Sequence, residues 1–143
     1  MKIGVASDHA GYEYKNRLAE LLTKKGFDVA DYGTYSEVSC DYPDYAHALG
    51  EAIERKEVDL GVALCGTGNG IAMTLNKHQG VRAGLAWNSE LARLTKAHNN
   101  ANVIVMPARF ISYQMATRIV NTWLATEFEG GRHQRRIDKI PLK

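Results

Sequence analysis

Cysteine is scarce in this chain. It occurs only at positions 40 and 65 and forms no C-x-x-C pair, which leaves no disulfide framework and points to a reducing, cytoplasmic setting. No apolar stretch approaches the roughly 18 residues of a membrane span, and residues 2–6, KIGVA, read as a strand where an apolar signal core would stand. Neither export nor membrane insertion is expected. Charge of one sign is lacking as well. With 24% charged residues and a net charge of +2, no global field draws the chain to nucleic acid or to an acidic membrane surface. Basic character is local, gathered in the last dozen residues. Repeats, linkers and low-complexity segments are missing too. The 143 residues therefore read as one domain, long enough to bury roughly 70% of the surface its unfolded chain exposes.

What is present alternates between short apolar runs and segments of helical period. Residues 2–7 read as a strand, and Tyr14, Leu18, Leu21 and Leu22 then mark one face of a helix that Gly26 ends as a left-handed cap. Residues 27–32 form the second strand, followed by a polar loop through Pro43 and a helix over about 44–56. Residues 58–64, nearly all apolar, read as a third strand buried on both faces, and a short helix covers about 69–77. Strands four and five fall at 81–86 and 103–106, separated by a helix that Ser89 N-caps and that runs to about His98. Ala116, Ile119, Val120, Trp123 and Leu124 give the last helix a buried stripe, before Gly130 and Gly131 break it and leave the tail RHQRRIDKIPLK. The order βαβαβαβαβα predicts a single doubly wound, Rossmann-like α/β domain, with five parallel strands, right-handed crossovers and a C-terminal helical tail.

In such sheets ligands bind beyond the carboxyl ends of the strands. That rule gathers Ser7, Asp8 and His9, residues 65–70, Trp87 and Asn88, and Arg109 on one rim, with His98 placed near it. The stretch CGTGNGIAM, residues 65–73, is its densest signal. A nucleoside-triphosphate loop needs G-K-[ST] after its glycines, whereas Gly70 is followed by Ile71, Ala72 and Met73. Gly66, Gly68 and Gly70 alternate instead of following G-x-G-x-x-G, and strand four ends without a ribose-binding acid, which disfavours a dinucleotide cofactor. A thiol phosphatase would carry arginine where Ile71 stands, and a phosphoryl-accepting receiver would carry aspartate where Cys65 stands.

A cysteine beside a row of backbone N–H groups at a helix N-terminus remains. Such a place stabilises an anion and favours thiolate over thiol, and bare glycine backbone lets a ligand lie on it. Cys65 is then a candidate carbon base, with Thr67 and the loop N–H groups holding the enolate oxygen that deprotonation creates. The competing reading, a buried core cysteine at a tight glycine turn, stays open at this level. No two of the five histidines sit at a metal-ligand spacing and the cysteines are far apart, so no metal site is expected. His47 and His78 read as surface or helix-end residues, while His9 and His98 are candidates for the rim. Arg132 and Arg136 lie one turn apart and, in a helical tail, would bracket one dianion. A solvated basic tail is the alternative. Nucleic acid is disfavoured there because no aromatic side chain stands among those arginines to stack on a base.

The chain as a whole resembles a known family. SDHAG (7–11), DYPDYA (41–46), CGTGNGIAM (65–73), NK (76–77), AHNNANV (97–103) and EGGRHQRRI (129–137) run in order over nearly its full length. They are similar to the type B ribose-5-phosphate isomerases, a family that also includes galactose-6-phosphate and allose-6-phosphate isomerases. The resemblance implies interconversion of an aldose phosphate and its ketose through an enediolate, without metal or organic cofactor. It implies Cys65 as the base moving a proton between C2 and C1. Gly66, Gly68, Asn69 and Gly70, with Thr67, would form the loop holding the enediolate, and His98 would open the furanose ring. It further implies His9, Arg109, Arg132 and Arg136 as phosphate ligands, and Asp8, Tyr42 and Asn99 as contacts to sugar hydroxyls. One branch has serine in place of the cysteine and takes its base from a glutamate at the start of the next helix; residues 66–76 hold no carboxylate, so this chain falls in the cysteine branch. Ribose 5-phosphate is the expected substrate. A six-carbon 6-phosphate, or a non-catalytic sugar-phosphate sensor, is the alternative, and a sensor has no need of a carbon base.

Sites in that family are shared between two chains, and helix geometry agrees. A last helix from about Ser112 to Phe128 carries the chain about 25 Å back along the sheet at roughly 1.5 Å per residue. Arg132 follows too soon to return. The tail, residues 129–143, is therefore expected to cross to a neighbouring subunit in a homodimer with two equivalent pockets; whether dimers pair into tetramers stays open.

Overall fold

Apolar strands that must be covered on both faces and helices with one apolar stripe have few ways to pack, and the chain adopts one of them. The structure, a computed structural model, describes residues 1–142; Lys143, the last residue of the expected tail, lies outside them. In chain order the elements are β1 (Lys2–Ser7), α1 (Tyr12–Lys24), β2 (Asp28–Asp31), α2 (Tyr42–Glu54), β3 (Leu60–Cys65), α3 (Asn69–Leu75), β4 (Ala83–Leu85), α4 (Ser89–Ala97), β5 (Val103–Pro107), α5 (Tyr113–Ala125) and α6 (Arg132–Ile137). A single 3-10 turn, His9–Gly11, joins β1 to α1. The five strands form one sheet in the order β2-β1-β3-β5-β4, every neighbouring pair parallel.

Strand alternation divides the core in two. Val62 and Leu64 of β3 join Ile3, Val5, Ile104 and Met106 beneath Leu18 and Leu22 of α1, Ala92 of α4 and Ile119, Val120 and Trp123 of α5. Ala63 and Cys65 point the other way, to Ala46 and Leu49 of α2 and Ile71 and Leu75 of α3. Trp123 is fully buried and its indole N–H donates to the Ala101 carbonyl at 3.1 Å, which ties α5 to the approach of β5. From β1 the chain goes outward to β2, then crosses to β3 on the opposite side. The carboxyl ends of β1 and β3 thus form the point where strand order reverses, the usual ligand crevice of such sheets.

Element ends depart from the sequence reading for local reasons. Helix α2 begins two residues early because Pro43, in its first turn, has no N–H needing a partner. Asn88, rather than Ser89, caps α4: its Oδ1 accepts the Leu91 N–H at 2.9 Å and Ser89 is already helical. Strand β4 is short because asparagine side chains take over its ladder, Asn102 Oδ1 accepting from Arg82 N and Asn76 Oδ1 from Ala83 N, each at 2.8 Å. Helix α5 stops at Ala125, three residues before the expected end, where Thr126 turns to extended backbone. Gly26, at φ +98°, provides the left-handed turn after α1.

Candidate active site

Parallel register sets Ser7 opposite Leu64 and Cys65 opposite Pro107, so the residues leaving β1, β3 and β5 emerge side by side. Asp8 is buried, and its Oδ1 accepts from Ala10 N at 2.9 Å and Gly11 N at 3.2 Å, capping the 3-10 turn. His9 Nδ1 accepts the Cys40 N–H at 3.2 Å. In the neutral ring that leaves the proton on Nε2 as a donor. Cys65 ends β3, only 4% exposed. Its carbonyl accepts from Ala108 N at 2.9 Å and that of Gly66 from Arg109 N at 3.1 Å, which fixes the glycine loop to the turn after β5.

Each glycine of the loop has a physical reason. The Arg109 side chain lies over Gly66, where a Cβ would stand 3.3 Å from Arg109 Cδ and Nη1. Gly68 takes φ +79°, the left-handed region, immediately before α3. Gly70 lies against the Tyr42 ring so closely that any Cβ would overlap it, and this contact brings the start of α2 onto the loop. Thr67 Oγ1 accepts the Asn69 N–H at 3.3 Å. Thr67 and Asn69, with Leu85, Trp87, Pro107 and Phe110, line an open cavity of about 390 Å³.

The structure does not bring His98 to this rim. Helix α4 runs antiparallel to the strands, so its end faces the amino edge of the sheet, and His98, its C-cap, precedes β5 instead of following a strand. Five residues of β5 at roughly 3.3 Å each put about 16 Å of strand between the two edges. The tail comes to the same far edge: Glu129 N donates to the Ala97 carbonyl at 3.0 Å, and α6 places His133 against His98, rings stacked with centroids 4.2 Å apart. His98, Asn99 and Arg136, with His133, Ile137 and Ile140, line a cavity of about 280 Å³. Arg132 and Arg136 are exposed on α6, a helix as expected.

Two groups of candidates result: Asp8, His9, Tyr42, the loop Cys65–Gly70 and Arg109 at the carboxyl edge, and His98, Asn99, Arg132 and Arg136 at the amino edge. Sequence reasoning passed over His133 and Glu129. Their separation of four in sequence was the available signal, but Glu129 precedes the helix and the partner His98 lies far away in sequence. His133 is 6% exposed, and burial first, then the positive neighbours His98 and Arg132, hold its pKa below the ordinary 6.5, with Glu129 opposing. His47 and His78, read as surface residues, are hydrogen-bonded to each other at 2.8 Å, and His78 is also paired with Glu54 at 2.7 Å.

Sheet order and crevice define a doubly wound α/β protein of the kind that takes small ligands beyond its strand ends. The chain belongs to the Ribose/Galactose Isomerase family, whose model matches residues 3–140. It is 39% identical over 139 residues to the ribose-5-phosphate isomerase B of Escherichia coli, covering 97% of this chain and 93% of that one. It superposes on a ribose 5-phosphate isomerase from Thermotoga maritima with a TM-score of 0.95 at 50% identity, covering 97% and 96% of the two chains. The Mycoplasma genitalium ribose-5-phosphate isomerase B, solved with bound ribulose 5-phosphate, gives a TM-score of 0.93 at 42% identity, covering 97% and 93%.

Proposed function

We propose that this chain interconverts ribose 5-phosphate and ribulose 5-phosphate, in the cytoplasm, at pockets built from the carboxyl edge of one subunit and the amino edge of its partner in a homodimer. The observation that carries the two-chain arrangement is the placement of Cys65 and His98 at opposite edges of one sheet. A pocket using both needs two copies. His98 and Asn99 then cross with Arg132 and Arg136, while Asp8, His9, Tyr42, Cys65 and Arg109 stay with the glycine loop.

In the reaction, His98 moves a proton between the anomeric hydroxyl and the ring oxygen, opening the furanose. Cys65 as thiolate takes the proton from C2 of the open aldose; the electron pair moves into the C1–C2 bond and the carbonyl oxygen at C1 becomes the enediolate oxygen. Loop N–H groups of Gly66–Gly70 and the Thr67 hydroxyl meet that charge. The thiol then returns the proton to C1 while the O2 proton passes to O1, so that O2 becomes the ketose carbonyl and O1 a hydroxyl. The His9 Nε2–H, Arg109, Arg132 and Arg136 hold the phosphate dianion. Asp8, whose Oδ1 is committed to two backbone N–H groups, offers Oδ2 to a sugar hydroxyl beside Tyr42 and Asn99. Steady-state kinetics on ribose 5-phosphate and allose 6-phosphate side by side test the reading. A higher kcat/KM for the pentose is expected; preference for the hexose moves the chain to the six-carbon branch, and turnover of neither defeats the proposal.

A further inference from the structure

Strand β4 is the outermost strand on one side of the sheet, and its two ends differ in shape. Past its carboxyl end stand the aromatic side chains of Trp87 and Phe110, 54% and 72% exposed, on the rim of the open cavity they share with Leu85. Beside its amino end lies a mostly apolar cavity of about 300 Å³, lined by Val81, Ala83, Gly84, Asn99, Ala101 and Ile140. All three β4 residues are only partly buried. At Ala83 the outer backbone is already satisfied, because the Asn76 side chain accepts the Ala83 N–H at 2.8 Å and donates to its carbonyl at 3.0 Å, so contact along this edge falls to side chains. Exposed aromatic groups at one end and an apolar hollow at the other are the two halves of a self-complementary contact.

We propose that Phe110 of each subunit seats in the amino-end cavity of its partner, against Ile140, so that the two β4 edges lie side by side about a two-fold axis. The inference rests on the two-chain pocket proposed above and names the surface that assembles it. In that pocket Arg109 of one subunit and Arg136 of the other hold one phosphate. Arg136 lines the hollow of His98 and Asn99, which shares Asn99 and Ile140 with the 300 Å³ cavity. Phe110 follows Arg109 by one Cα step of about 3.8 Å. A phosphate held between the two arginines therefore brings Phe110 beside that cavity. Ala83 and Trp87 stand about 13 Å apart at roughly 3.3 Å per residue, and a two-fold axis beside the middle of β4 exchanges these ends, so one rotation forms the contact twice.

The test is sedimentation equilibrium over a range of protein concentrations on wild type, Phe110→Ser, Ile140→Ser, the double variant and Val38→Ser, with isomerisation of ribose 5-phosphate assayed at the same concentrations. Phe110, Ile140 and Val38 are 72%, 62% and 74% exposed, so the substitutions spare the fold of the single chain, which circular dichroism checks. Wild type is expected as a dimer. Phe110→Ser and Ile140→Ser should each raise its Kd at least about tenfold, through the apolar surface no longer buried. Val38→Ser, in the loop after β2 at the opposite edge of the sheet, should leave it unchanged. Because Phe110 and Ile140 meet, the double variant should lose less than the product of the two single losses. Specific activity of Phe110→Ser should recover as its concentration is raised through the new Kd, which damage inside the pocket would not allow. A monomeric wild type, an unchanged Kd in either single variant, an equal loss in Val38→Ser, or single losses that multiply in full overturn the docking. Unchanged Kd values with full isomerisation overturn the docking and leave the proposed function standing. A dimer that weakens as expected but turns over no ribose 5-phosphate defeats the proposed function and leaves the docking standing.

Discussion

Cys65 stands where alternation along β3 turns it from α1 and α5 toward α2 and α3, and where the strand gives way to bare backbone. As the proposed base, Cys65 would act in the transition state, while the residues proposed to hold the phosphate are others. Cys65→Ala should therefore lower kcat by about 10²–10⁴ with KM little changed, in steady-state kinetics from either sugar phosphate. Retained kcat would remove the thiol from the chemistry. His133 bears on stability. Its folded pKa lies below the unfolded 6.5, so as pH falls through 6.5 toward that lower value the unfolded chain binds a proton the folded one refuses, and stability is lost. His133→Gln should flatten this acid-side loss, read as Tm against pH between 7 and 5. The glycine loop, with its cysteine and threonine, was legible because each glycine sits where a Cβ would clash or φ is positive. His133 and Glu129 were not, since their meaning depends on the His98 ring, far away in sequence.

At the level of elements, helix stripes and strand alternation were readable, and so was the left-handed Gly26 after α1. Lys15 was not. It lies on the buried face of α1, three residues before Leu18, fully buried, with Nζ 2.6 Å from Asp31 and close over the Tyr12 and Tyr35 rings. Sequence alone assigns a lysine to water; here β2 supplies the counter-charge at the base of the loop leading to Cys40 and thus to His9. Because Asp31 is still 37% exposed and can rehydrate, Lys15→Ala should cost about 3 kcal/mol, the low end for breaking a buried pair. Urea unfolding should show a lower midpoint at unchanged slope. Direction along the sheet was the harder inference. A residue before β5 sits at its amino edge, so His98 falls opposite Cys65 although the two were expected near one rim.

For the whole molecule, the alternation of elements predicts five parallel strands, but the order β2-β1-β3-β5-β4 depends on which helices cover which face, and no local pattern states that. The shortness of the link between α5 and α6 does state something global, that the tail cannot return to its own crevice. Helix α5 spans 13 residues, about 20 Å, and α6 begins six residues after Thr126, packed beside His98. A site that uses both edges is therefore a property of two chains. The most direct measurement mixes Cys65→Ala chains with His98→Ala chains, each inactive alone, and follows ribose 5-phosphate isomerisation after verified subunit exchange. Half of the dimers are then mixed and each carries one pocket with both groups intact, so recovery to about a quarter of the wild-type rate is expected. No recovery, or a fully active monomer in sedimentation, would contradict the two-chain site.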